Sequence, residues 1–166
     1  HATKLMNIEA PNHPGRITAV EFNIPTVGKT VVVSIYGHVD SGERTEQLVK
    51  TALDKASDSH VIIGDFNKHF KETKQSMFSD KHNEAITWGH TCKSRSGSTD
   101  IDHAIVSSNI KRLIKKLEME ETQLATHKPI TMELDLKVGT QKIKVMQRTP
   151  RTTFAEPHGP KHQIQQ

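Results

Sequence analysis

The stretch whose reading decides the fold is residues 29–67, KTVVVSIYGHVDSGERTEQLVKTALDKASDSHVIIGDFN. In its first arm, Lys29 to Tyr36, the residues Val31, Val32, Val33 and Ile35 make both faces apolar, which suits a strand covered on both sides. Ser41 and Gly42 then open a stretch from Glu43 to Ser57 in which Leu48, Val49, Ala52, Leu53 and Ala56 recur at helical spacing. Glu43 and Glu46 fall in its first turn, where negative charge suits the helix dipole. His60 to Gly64 is again a short apolar strand. Residues 29–64 thus predict a strand, helix, strand unit, with a right-handed crossover if its two strands are parallel.

Upstream, Arg16 to Phe22 is rich in Val, Ile, Thr and Phe, and Pro25 to Lys29 carries turn residues, so residues 16–36 predict a β-hairpin. Downstream, Lys68 to Glu84 is polar and without clear periodicity, which predicts a long surface loop. Strand signals return at Ala85 to Trp88 and Ile101 to Val106, separated by the Ser/Gly-rich Lys93 to Ser98. A helical turn near Asn109 to Leu113 and a weak strand around Leu117 to Glu121 follow. Ile130, Met132, Leu134 and Leu136 then alternate with Thr131, Glu133 and Asp135, the clearest period-2 pattern in the chain. Residues 137–146 can pair back as a short hairpin, whereas 147–166 have no packable face and predict a disordered segment.

The chain has 166 residues, one ordinary domain. Its net charge of +4 is unevenly placed. Residues 1–136 hold 17 Lys/Arg against 18 Asp/Glu, whereas residues 137–166 hold six Lys/Arg against Glu156 alone. We therefore read 1–136 as a neutral folded body and 137–166 as a basic tail that could join a downstream domain. One cysteine, Cys92, excludes an internal disulfide and reads as a structural thiol. No apolar run approaches the roughly 20 residues of a membrane span. An intracellular setting, nuclear or cytoplasmic, is expected, without a membrane partner.

Four polar clusters sit at the ends of predicted strands, where loops display side chains at a sheet rim. They are Tyr36 with His38 and Asp40, Asp65 with Asn67, Asp100 with Asp102 and His103, and Thr126 with His127. Singly, a strand-end Asp more often shapes a turn than catalyses. Together, the strand ending in Tyr36, the run Gly64-Asp65-Phe66-Asn67, the run Ile101-Asp102-His103-Ala104-Ile105-Val106-Ser107 and Thr126-His127-Lys128-Pro129-Ile130 form an ordered set.

In that order the set resembles the endonuclease/exonuclease/phosphatase superfamily over about residues 16–136. The resemblance implies a four-layer α/β sandwich with two mixed sheets, of which this chain supplies the later part, the N-terminal strands being absent. It also implies metal-assisted hydrolysis of a phosphodiester, most in the manner of a non-LTR retrotransposon DNA endonuclease, with DNA as partner. Asp65 would position or deprotonate the water, Asn67 and Tyr36 would bind the phosphate, and Asp102 would fix His127 as a cation beside it. The ion implied is Mg²⁺ or Mn²⁺, held by Asp65. From their placement alone, His38 in the loop after Tyr36 could touch substrate or belong to a plain surface turn, and Asp100, on the Asp102 side of its strand, could assist Asp65 at the metal or be a solvated strand-end carboxylate.

Two departures from the superfamily pattern stand out. Thr126 replaces the Asp of the usual Ser-Asp-His triplet, and residues 1–15 show no match to the strands that carry the metal-binding Glu. The rival readings are a phosphatase or exonuclease of the same superfamily, and a degenerate copy that binds nucleic acid through its basic tail. Asp102 and His127 are expected within hydrogen-bond reach, with Asp65 and Asn67 opening onto the same cleft. Trp88 is expected in the core.

Overall fold

The computed structural model describes residues 4–77, 82–122, 126–136 and 140–144. The expected disordered segment 147–166 lies outside the described residues. In chain order the elements are β1 (Lys4–Met6), β2 (Ile17–Ile24), β3 (Gly28–Tyr36), α1 (Gly42–Lys55), β4 (Ser59–Asp65), α2 (Phe70–Met77) and β5 (Asn83–Thr87). There follow β6 (Cys92–Ser94), β7 (Gly97–Thr99), β8 (Asp102–Ser107), α3 (Ser108–Lys111), β9 (Ile114–Met119), β10 (Ile130–Asp135) and β11 (Thr140–Lys144).

The predicted hairpin is β2 against β3, and the predicted crossover unit is β3, α1 and β4 with its two strands parallel. Ser41 caps α1 by accepting a hydrogen bond from the Arg44 amide at 3.2 Å, so the polar residue before the apolar periodicity starts the helix. These strands belong to a mixed six-stranded sheet of order β1-β2-β3-β4-β8-β5. A second sheet, β11-β10-β9, is antiparallel throughout. Strand β11 pairs antiparallel with β10.

Side-chain parity decides what lies on each face. Val61 and Ile63 of β4 with Ala104 and Val106 of β8 meet Ile130, Met132 and Leu134 of β10, so the two sheets bury a shared core. The opposite parity, Ile62 and Ile105 with Val31 and Val33, packs under Leu48, Val49 and Ala52 of α1. Helix, mixed sheet and antiparallel sheet are thus three layers of the expected sandwich among the described residues. Trp88 lies against the inter-sheet core and donates its indole N–H to the Thr131 carbonyl at 3.0 Å, in the packing role expected of it.

The polar stretch after Asn67 departs from expectation, because residues 70–77 form α2 rather than loop. The reason is that its buried residue Thr73 is polar and the six residues between Phe70 and Met77 are all polar, so the apolar signal is too sparse to announce a helix. Two glycines let the first two clusters converge. A Cβ at Gly64, whose φ is +152°, would stand 2.1 Å from the Ile35 carbonyl oxygen, and one at Gly37 would stand 2.1 Å from that of Phe66.

Candidate active site

Register carries three of the predicted residues to one place. Tyr36 is opposite Asp65 in the β3/β4 pairing, and Asp65 is opposite Asp102 in the β4/β8 pairing. All three share the parity of Val61 and Ile63, so they continue the inter-sheet face to its open end. Glycine at 37 brings its amide onto the Asp65 carbonyl at 2.7 Å, closing the β3 and β4 ends together.

The fourth cluster comes from far along the chain. Residues 126–128 lie antiparallel to residues 91–93, with the Lys93 amide on the Thr126 carbonyl at 2.8 Å and the Lys128 amide on the Thr91 carbonyl at 2.7 Å. That pairing delivers His127. Its Nδ1 lies 2.8 Å from Asp102 Oδ2 and 3.1 Å from Oδ1, while its Nε2 lies 3.7 Å from Asp65 Oδ2. Asp102 is in turn held by the buried Thr91 hydroxyl, which donates to Oδ2 at 2.7 Å.

The charges follow from these contacts. The Asp102 hydrogen bond raises the His127 pKa above its ordinary value against the opposing effect of burial, with the Asp102 and Asp65 charges adding to the rise. Burial pushes the Asp65 carboxyl up to about 6, opposed by the hydrogen bond from the Asn67 amide and helped by the Asp102 charge. Asn67 sits in the left-handed region at φ +49°, a conformation that Asn tolerates. There its amide N–H reaches Asp65 Oδ1 at 2.8 Å and its side chain donates to the Gly37 carbonyl at 3.0 Å. Tyr36 is 40% exposed, with the Arg16 guanidinium 4.9 Å above its ring.

Two predicted site residues are placed elsewhere. His38 is only 2% exposed, pairs with His13 at 2.9 Å, and accepts no place on the cleft surface, so its assignment to substrate contact is corrected. The loop between β3 and α1 folds inward there because the Thr45 hydroxyl receives the His38 amide at 2.8 Å. Asp100 precedes the first residue of β8 and gives its carboxylate to His69 at 2.6 Å, so it does not join Asp65 as the assisting ligand expected of it.

The carboxylates of Asp65 and Asp102 and a ring nitrogen of His127 all lie within 4.8 Å of one another, a cluster able to hold a cation. Its donor inventory limits which cation. Both Asp102 oxygens face His127 and one also serves Thr91, and Asp65 Oδ1 takes the Asn67 amide. Asp65 Oδ2 remains as one hard oxygen donor. One carboxylate meets the minimum for a Mg²⁺ that is shared with substrate phosphate.

Sequence reasoning missed two neighbours. Thr91 and Cys92 become part of the site only through the long-range pairing with 126–128, and no local spacing signals it. Cys92 Sγ lies 3.6 Å from His127 Nε2, a histidine neighbour that sequence spacing did not offer. A concavity of about 1090 Å³ lies at the other end of β4 and β8 beside His60 and Ser107, and holds none of these groups.

Solved structures share this architecture. The endonuclease domain of TRAS1, a telomere-specific non-LTR retrotransposon, superimposes with a TM-score of 0.66 at 13% identity, covering 82% of this chain and 69% of that one. This chain shares the fold of that endonuclease domain. The 3′ phosphatase NExo from Neisseria, solved with a product DNA hairpin, gives 0.55 at 15% identity over 80% of this chain and 70% of its own. A humanised D. rerio TDP2 gives 0.51 at 10% identity over 77% and 62%. No family model and no curated protein sequence matches the chain. At such identities the superfamily fold is shared while each residue's role rests on the geometry above. Among the described residues no helix is long and apolar enough to cross a membrane.

Proposed function

We propose that the chain hydrolyses phosphodiesters as a DNA endonuclease domain of the retrotransposon type. The carrying observation is the line Asp102, His127, Asp65 at the open end of the inter-sheet core, 2.8 Å and 3.7 Å apart, flanked by Tyr36 and Asn67. Asp102 holds Nδ1 and favours the imidazolium, whose Nε2–H points to where a phosphate oxygen would gain charge. Asp65 orients the attacking water and takes its proton as the bond from water oxygen to phosphorus forms and the bond to the leaving oxygen breaks. A carboxyl raised to about 6 is ionised at neutral pH yet more basic than an exposed one. Asn67 offers its second amide N–H and Tyr36 its phenol to the same phosphate.

Mg²⁺ or Mn²⁺ is the ion we assign, with Asp65 as its ligand from this chain; when bound it would offset the charge gained by the phosphate. DNA is the assigned partner, supported by the TRAS1 and NExo likenesses. The NExo likeness also supports a second reading, removal of a 3′ phosphate or nucleotide. Supercoiled plasmid and an end-labelled hairpin separate the two. Chelator-sensitive nicking, lost in Asp65→Ala and His127→Ala and kept when the exposed His90 becomes Ala, is the expected result. Nicking that survives His127→Ala would overturn the assignment.

A further inference from the structure

The Arg16 guanidinium is directed at the strand end that carries Tyr36 rather than at a carboxylate. We propose that Arg16 is the positioning residue for phosphate binding, fixing Tyr36 directly and Asn67 through the Gly37 carbonyl. The consequence for turnover rests on the reading above; the fixing of Tyr36 does not.

Its place follows from the β2/β3 ladder. Ile17 is opposite Ile35, and the Tyr36 amide donates to the Arg16 carbonyl at 3.0 Å, so the pairing runs on by one residue and sets the Arg16 and Tyr36 side chains on one face. There the guanidinium lies 4.9 Å from the Tyr36 ring centroid, within cation–π range. Its Nη1 donates to the Tyr36 carbonyl at 3.0 Å and to the Gly37 carbonyl at 2.7 Å. A second tie lies beside it, where the buried His13 ring meets the buried His38 ring at 2.9 Å. The turn before β2 and the loop after β3 are thus joined at two points.

The Gly37 carbonyl connects Arg16 to the rest of the site. It also accepts from the Asn67 side-chain amide at 3.0 Å, while the Asn67 backbone amide donates to Asp65 Oδ1 at 2.8 Å. One side-chain N–H of Asn67 is therefore committed, and the direction of the other, assigned to the phosphate, is set by where that carbonyl points. Glycine has the freest backbone of any residue and fixes its own carbonyl least. Position 37 admits nothing larger, because a Cβ there would stand 2.1 Å from the Phe66 carbonyl oxygen. The orientation has to come from outside, and Arg16 supplies it. Lysine would keep the charge but lack the planar fork that stacks on a ring and presents several donors at fixed angles.

Tyr36 is the sole tyrosine of the chain, so ring-labelled ¹³C-tyrosine reports it alone, in the full chain without DNA. Arg16→Lys should move its ring signals; signals identical to the parent's would overturn the proposal. In single-turnover nicking of supercoiled plasmid at saturating enzyme, Arg16→Lys should slow the step about tenfold, because misplaced binding groups cost rate more than affinity. The enzyme concentration giving half the maximal rate should change less than about twofold. Added to Tyr36→Phe with Asn67→Ala, Arg16→Lys should slow nicking by less than about twofold, since the groups it orients are gone. Losses that multiply in full would mean that Arg16 serves the fold alone. If the parent itself nicks nothing, the hydrolytic reading fails, and the ring signals still decide whether Arg16 fixes Tyr36.

Discussion

Asp102 and His103 are neighbours in β8, yet the two faces they occupy treat a histidine in opposite ways. On the cleft face, His127 is half-buried and bonded to Asp102, and its pKa rises. On the helix face, His103 is fully buried, stacked on Phe66 with ring centroids 3.9 Å apart and edge-on to Phe70, and burial lowers its pKa to about 4. Its Nε2 meets the Thr73 hydroxyl at 3.0 Å, and its Nδ1 has no partner. Burial with a carboxylate makes a cation poised at the site. Burial among rings makes a neutral packing residue. Chemistry is therefore expected from one face only.

The largest effect should come from breaking the cleft side. His127→Ala should lower the nicking rate about a thousandfold, roughly 4 kcal/mol of barrier, since it removes the donor to the phosphate and the partner of Asp102. Asp102→Asn should follow closely while keeping the fold. Single-turnover rates on plasmid check both, and a loss below tenfold would mean that the two faces do not differ as described.

How much of this contrast the sequence carries depends on the range of the interaction. The β3, α1 and β4 unit is legible because its apolar residues repeat locally, and so is β10 with its strict alternation. Strand β1 is not, since it joins the sheet edge through backbone bonds that leave Leu5 exposed. Helix α2 hides because its buried Thr73 is polar and only Phe70 and Met77, at its two ends, are apolar. The candidate site is legible where strand ends carry it, at Asp65, Asn67, Asp102 and His127. It is illegible where a residue's fate depends on a distant segment: His38 is drawn inward by His13, Asp100 is claimed by His69, and Cys92 reaches His127 only through the pairing of 91–93 with 126–128.

The helix face should show itself in acid. A histidine whose folded pKa of about 4 lies below its unfolded value of 6.5 binds fewer protons when folded. The His103 contribution to stability should thus fall by about 3 kcal/mol as pH drops from about 6.5 to 4, because its protonation favours the unfolded chain, and it is read as the difference between the parent and His103→Gln. Urea midpoints across that range check it. His103→Gln, which keeps a polar contact to Thr73, should flatten the curve in this window.

A smaller effect of opposite sign belongs to Asp65. Its folded pKa of about 6 exceeds the unfolded 3.8, so the folded state holds its proton longer and loses stability as pH rises through that window. Asp65→Asn removes the buried charge and keeps an oxygen for the Asn67 amide. At pH 7 it should stabilise the metal-free fold by about 2 kcal/mol while abolishing turnover. A fall in thermal midpoint would show that the Asp65 charge is better compensated than its burial suggests.

The smallest effects should separate the faces most cleanly, because each face uses a buried threonine hydroxyl in the same way. Thr91 donates to Asp102 and Thr73 meets His103, at 2.7 Å and 3.0 Å. Replacing either by Val keeps shape and deletes one hydrogen bond, leaving a buried polar atom short of a partner at a cost of about 1 to 2 kcal/mol. The stability loss should therefore be similar for Thr91→Val and Thr73→Val. Their kinetics should differ, since Asp102 without the Thr91 hydroxyl holds His127 less firmly, whereas His103 has no part in the reaction. Thr91→Val should slow nicking about tenfold and Thr73→Val should leave the rate per folded molecule unchanged. Equal rates in the two variants would mean that Thr91 serves the fold alone and that the cleft orients His127 without it.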